Sequence, residues 1–147
     1  MLTDDNHILL LQVREPATGR KVWLAPGGGV QPRERPAQAL VRETLEATGH
    51  QVEATGPLIW TRRSVSNHEG RDMNQKESFY LVKVPRFDPV PGYKPDRIER
   101  DTFLEFRWWN LVELTQSQEE FSPRRAPHFL KRLVEEGPPE HPLDTGP

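Results

Sequence analysis

The stretch that most restricts the fold is a strand-like run that breaks into glycines and resumes as a helix. Lys21-Val22-Trp23-Leu24-Ala25 reads as a strand and runs straight into Pro26-Gly27-Gly28-Gly29. Consecutive glycines let a backbone turn sharply or pass close to another group. From Pro36 the apolar period changes: Ala37, Leu40, Val41, Thr44 and Thr48 recur at three- and four-residue steps, which predicts a helix with these residues as its buried stripe. Pro36 suits the first turn, where its missing N–H costs nothing. Gly49 suits the left-handed residue that ends a helix.

The remaining elements arrange themselves around this unit. Ile8-Leu9-Leu10-Leu11-Gln12-Val13 is a nearly continuous apolar run, expected as a buried strand. Residues 56–66 and 77–84 read as strands, with the polar segment 67–74 between them expected as a loop and a candidate lid. Residues 86–97 form a proline-rich connection, and residues 103–109 an aromatic β-type segment. A last helix is expected from Ser122-Pro123, with Phe129, Leu130, Leu133 and Val134 as its apolar face and Gly137 as its end. The expected organisation is one domain over 1–137 and a flexible tail over 138–147.

Charge placement then points to chemistry. Glu43 and Glu46 lie one helical turn apart on one face, and that face is not the Leu40/Thr44 stripe. Two adjacent carboxylates repel, and a hard divalent cation such as Mg²⁺ resolves the conflict because it favours carboxylate oxygen. Such an ion lowers the pKa of bound water and clamps phosphoryl oxygens. Arg42 is the natural partner of Glu34 in a two-pronged ion pair that holds the loop against the helix. The plain alternative is a solvated helix face, since Glu and Arg are good helix formers. It explains any one of these residues but not the spaced set.

The spaced set, Gly28, Glu34, Arg42, Glu43, Glu46 and Gly49, resembles the Nudix box, GX5EX7REUXEEXGU, over residues 28–50. The resemblance extends more loosely over residues 8–134, through the late strand and turn Glu105 to Leu114. It implies an α/β (α+β) Nudix fold, a mixed sheet sandwiched between the box helix and the helix near Phe129. It also implies a hydrolase that cleaves a phosphoanhydride in a nucleoside diphosphate linked to another group, and the absence of cysteine fits the expected cytoplasmic location. Glu43 and Glu46 would hold Mg²⁺ or Mn²⁺, and Glu43 would act as the base or orient it. Gly28, Gly29, Glu34, Arg42 and Gly49 would support the site. The chain departs from the pattern at Ala47, where the family has a glutamate that commonly ligates metal. Glu105 is the first candidate to compensate, followed by Glu99, Asp101 and Glu77. The same departure supports the alternative of a Nudix-like nucleotide-binding or sensing domain that has lost turnover. At the N-terminus only Met1-Leu2-Thr3 stands where the family has a full strand, so either the start lies upstream or the strand is a stub. The markers of the ADP-ribose, diadenosine-polyphosphate and coenzyme A subfamilies are absent.

Candidate substrate contacts are Trp23 and Trp60, which can stack on a base or simply pack in the core. Arg62, Arg63 and Lys76 are candidates for phosphate contacts, or for solvated strand edges. His7, His68, His128 and His141 show no metal-binding spacing. No GxSxG elbow or Walker loop is present. The chain lacks cysteine, which excludes disulfides and thiolate zinc sites, and its net charge of −2 argues against a general binder of long nucleic acids. No apolar run spans a membrane. The expected partner is a small nucleotide-type substrate, with a second copy of the chain as a further candidate.

Overall fold

The computed structural model describes residues 1–53, 55–68, 71–91 and 102–146. Strands β1 (Ile8–Arg14) and β2 (Lys21–Leu24) form a hairpin, followed by helix α1 (Pro36–Thr48) and a second, longer hairpin of β3 (Leu58–His68) and β4 (Arg71–Tyr80). Then come β5 (Phe103–Trp109), α2 (Leu111–Gln116), β6 (Glu120–Ser122), α3 (Ala126–Glu136) and β7 (Leu143–Asp144). The expectation of one mixed sheet becomes two, a four-stranded sheet in the order β5-β1-β2-β6 and a three-stranded sheet in the order β4-β3-β7. In each, one parallel pair joins otherwise antiparallel neighbours: β2 with β6, and β3 with β7.

Side chains alternate across a strand, and here the alternation separates two cores. Trp108 of β5 packs with Leu40 and Val41 of α1 and with Val52, Val82 and Val84. The next residue, Trp109, faces the other way, into a cluster with Leu10, Trp23, Trp60, Phe121 and the α3 residues Phe129, Leu130 and Leu133. The four-stranded sheet therefore lies between α1 and α3, as the resemblance implies. Trp23 and Trp109 meet edge to face at 5.1 Å, a geometry that adds about 1 kcal/mol beyond the area they bury.

Several expectations change. The segment 67–74, expected as a loop, is mostly ladder: Val65 pairs with Asn74, Ser66 with Met73 and Asn67 with Asp72. The described side chains here, Val65 and residues 72–76, are exposed, so they lack the alternating burial of a packed strand. Conversely, the strand expected over 77–84 ends at Tyr80. Val82 and Val84 bond the backbone of Leu2 instead (Leu2 N–H to Val82 O 2.9 Å, Val84 N–H to Leu2 O 3.0 Å), so the short N-terminal segment does pair. Within α1, Ala37 is exposed and Ala39 is buried in its place, because the first turn reaches past the packed surface. After Gly137, where a flexible tail is expected, Leu143 and Asp144 pair with Trp60 and Thr61, and Thr145 donates to the Thr61 carbonyl at 3.0 Å.

Gly56 shows how closely the second hairpin is seated. A Cβ there would overlap the carbonyl oxygen of Leu81 and stand 2.9 Å from its carbon. Backbone cannot yield as a side-chain tip can. Gly56→Ala is therefore expected to destabilise the protein by about 1–3 kcal/mol, seen as a lowered midpoint in urea unfolding. An unchanged midpoint would mean that the approach is looser than described.

Candidate active site

The glycine turn and α1 are tied together by one guanidinium. Arg42 Nε and Nη2 donate to the two oxygens of Glu34 at 2.8 and 2.9 Å, and Nη2 also donates to the Gly29 carbonyl at 2.8 Å. Glu34 in turn accepts the Gln31 N–H at 2.9 Å, which closes the loop on itself. Arg33, inside that loop, has φ of +64°, in the left-handed region that side chains seldom occupy. Helix α1 begins at Pro36, where Gln38 Oε1 accepts the Arg35 N–H at 3.0 Å. It ends at Gly49, with φ of +71° and its N–H on the Leu45 carbonyl at 2.9 Å.

The third arm of Arg42 reaches the two acids singled out in the sequence. Its Nη1 donates to Glu43 Oε1 at 2.7 Å and to Glu46 Oε2 at 3.1 Å. Both carboxylates thus converge on one positive nitrogen, on the same side of the helix. Glu43 is largely sequestered, with 13% of its side chain exposed, and Glu46 opens to solvent at 42%. Gly28 lies against Glu43: a Cβ on it would stand 2.6 Å from Oε1 and closer still to Cδ and Oε2. The turn needs glycine here because a carboxylate occupies the space of a side chain.

The electrostatics follow from this geometry. The hydrogen bond from Arg42, with help from the Gln31 N–H, draws the Glu34 carboxyl from its usual 4.5 down to about 2. Bonds to Glu34 and then Glu43 raise Arg42 above its already high value. A carboxylate whose folded value is depressed contributes stability above its unfolded value and loses it as pH falls through the folded one. The wild type should therefore be more stable than Glu34→Gln near neutral pH, and this advantage should vanish between pH 4.5 and 2. Thermal melts of both proteins across that window check this, and a constant difference would contradict it.

Arg42 Nη1 occupies the point on which the Glu43 and Glu46 carboxylates converge. Among the described residues, no group of three His, Cys, Asp or Glu side chains stands ready for a metal. The acids considered as replacements for a carboxylate at Ala47 divide three ways. Glu77 is committed to Arg62 (2.8 and 3.0 Å) and to Ser64 Oγ (3.0 Å). Glu105 pairs with Gln12 across β5 and β1, three residues from Trp108, and so lies on the sheet face turned away from α1. Glu99 and Asp101 lie outside the described residues.

The structure corrects one candidate contact directly. Trp23 is 1% exposed, stacks edge-on with Trp109 and donates its indole N–H to Glu119, so it is core and cannot stack on a base. Arg62 is held by Glu77 and by Ser122 Oγ at 2.8 Å, while Arg63 and Lys76 stand opposite each other on the long hairpin, in a cleft with Thr61 and Asp144. None of the three has a contact with Glu43 or Glu46 among the described residues. Sequence reasoning did not find the short α2 helix, β6 or β7. For α2 a signal existed: Asn110 Oδ1 accepts the Glu113 N–H at 2.8 Å and Glu113 reaches back to the Asn110 N–H at 3.2 Å, a reciprocal cap visible as Asn-x-x-Glu.

Known proteins share this architecture. An RNA pyrophosphohydrolase of Saccharophagus degradans is 32% identical over 121 residues, covering 76% of this chain and 67% of its own. The nucleoside triphosphatase NudI of Salmonella agona is 30% identical over 118 residues, covering 78% and 80%. Among solved structures, a MutT NUDIX hydrolase from Burkholderia pseudomallei superposes with a TM-score of 0.64 over 90% of this chain and 92% of its own, at 23% identity. The NUDIX domain family model matches residues 1–133, the whole span from the N-terminal strand pairing through the α3 core contacts, and the chain belongs to the Nudix family of phosphoanhydride hydrolases.

Proposed function

We propose that this chain hydrolyses a phosphoanhydride in a nucleotide, a nucleoside diphosphate bearing a further group, with Mg²⁺ or Mn²⁺ held by Glu43 and Glu46. The observation that carries the reading is the convergence of both carboxylates on Arg42 Nη1, beside a glycine that leaves room for one of them. When bound, the ion polarises phosphoryl oxygen and makes its water a better nucleophile near neutral pH. Glu43, sequestered against Gly28, holds or receives the proton of the attacking water. Glu46 stands at the open side, where substrate oxygens arrive. Loading would displace Arg42 Nη1 from Glu43 and Glu46. Nε and Nη2 keep Glu34 and the Gly29 carbonyl, so the loop stays in place. With alanine at 47 the donor set is two carboxylates, which favours an ion that keeps several waters.

The relatives' names, an RNA pyrophosphohydrolase and a nucleoside triphosphatase, support a substrate with a run of phosphates. Incubating the protein with Mg²⁺ or Mn²⁺ against nucleoside triphosphates, dinucleoside polyphosphates, nucleotide sugars and 5′-triphosphorylated oligonucleotides tests the proposal. Release of phosphate or pyrophosphate from one class, dependent on the ion, is the expected result. Tight nucleotide binding with no turnover under either ion would favour a binding domain instead.

A further inference from the structure

We propose that Arg63 and Lys76 form a second anion site, for a phosphate-bearing ligand, on the outward face of the long hairpin. The inference does not depend on the catalytic reading. The β3–β4 register sets Arg63 directly opposite Lys76, and directly opposed residues project from the same face. One step along the ladder, on the inward face, Arg62 opposes Glu77 and the two form a pair at 2.7 Å. On the outward face the corresponding position holds two cations. Neither is in an ion pair or side-chain hydrogen bond among the described residues.

Like charges facing each other across a ladder work against the pairing, so the sequence sets a repulsion in the middle of its longest hairpin. The neighbours make an anion the natural remedy. Thr61 and Ser78, the next outward pair, supply hydroxyl donors, and Asn74 supplies an amide two residues beyond Lys76. Thr61, Arg62, Arg63, Lys76 and Asp144 line one cleft. Of the acids on this face, Asp144 is in register with Thr61 at the edge of the cleft and accepts the Gly146 N–H at 2.9 Å within its own turn, and Asp72 lies farther along the ladder, opposite Asn67. A ligand with two or more phosphate charges can bridge the guanidinium and the ammonium, the former in a forked geometry and the latter as a point charge. Phosphate of this kind comes from a free polyphosphate or from a nucleic-acid backbone.

The test is calorimetric titration of the full chain, in EDTA at low ionic strength, with inorganic tripolyphosphate and separately with a short single-stranded oligonucleotide lacking a terminal phosphate. Removing metal keeps the Glu43 site out of the readout. At least one probe is expected to bind, and Arg63→Gln combined with Lys76→Gln should weaken it about tenfold or more. Whichever probe binds identifies the source of the phosphate. Lys76→Glu serves as a second variant: it converts the repulsion into an ion pair, so it should abolish binding and raise the melting temperature, which separates loss of the site from loss of the fold. Failure of both probes to bind the wild type, or binding by the double variant as tight as by the wild type, would overturn the proposal.

Discussion

Glu43→Gln is expected to lower turnover by about a thousandfold, with little change in folding. Glutamine keeps the shape of the side chain but removes the charge proposed to hold a divalent ion and the basicity proposed to take a proton from water. Each loss lies in the range of about 10²–10⁴ seen when a positioned acid–base group is removed. The fold should survive because Arg42 retains two bonds to Glu34 and one to the Gly29 carbonyl. Glu46→Gln should cost less, nearer a hundredfold, since Glu46 is the more exposed of the two and sits at the open side of the site. Steady-state kinetics with saturating Mn²⁺, alongside melting curves, check both. An unchanged rate for Glu43→Gln would remove Glu43 from the chemistry.

Gly28→Ala should be nearly as damaging for a different reason. The added methyl collides with the Glu43 carboxyl group, at 2.6 Å or less from its atoms, and that carboxyl is the far end of a flexible side chain. The chain can fold by swinging the carboxylate aside, so stability should fall by no more than about 1 kcal/mol. On the proposed reading the swing would carry Glu43 away from the ion, and the rate should drop about a hundredfold, the cost of misplacing a reacting group by an ångström. Raising Mn²⁺ should recover part of the loss, because a misplaced ligand weakens metal affinity before it destroys it. Gly29→Ala provides the contrast: nothing stands within 4 Å of a Cβ there, and only a small effect is expected. Equal losses for the two substitutions would show that the turn needs glycine for its path and not for the space beside Glu43.

The parts of the molecule legible in the sequence are those where local chemistry and tertiary placement agree. Pro36 and Gly49 mark the ends of α1 because a missing N–H and a left-handed φ are local requirements. Glu34 and Arg42 could be paired before any fold was known, since a two-pronged ion pair answers both side chains at once. What stayed hidden depends on distant partners. Residues 72–76 are exposed and carry no apolar alternation, and only their ladder with residues 63–67 shows that they are strand. β7 is two residues long and exists through Trp60 and Thr61, far earlier in the chain. For Trp23 the apolar strand around it favours core packing over base stacking, and its burial against Trp109 bears that out. The alanine at 47 was visible at once as a departure from the resembled motif, whereas the shared contact of Glu43 and Glu46 with Arg42 Nη1 needed coordinates.

The most direct test titrates Mn²⁺ into the full chain and follows free ion by electron paramagnetic resonance, with no nucleotide present. The expected result is saturable binding by the wild type that Glu43→Gln and Glu46→Gln each weaken by tenfold or more, while Glu105→Gln leaves it unchanged. Wild-type affinity retained when both Glu43 and Glu46 are replaced would place the ion elsewhere and contradict the proposed centre.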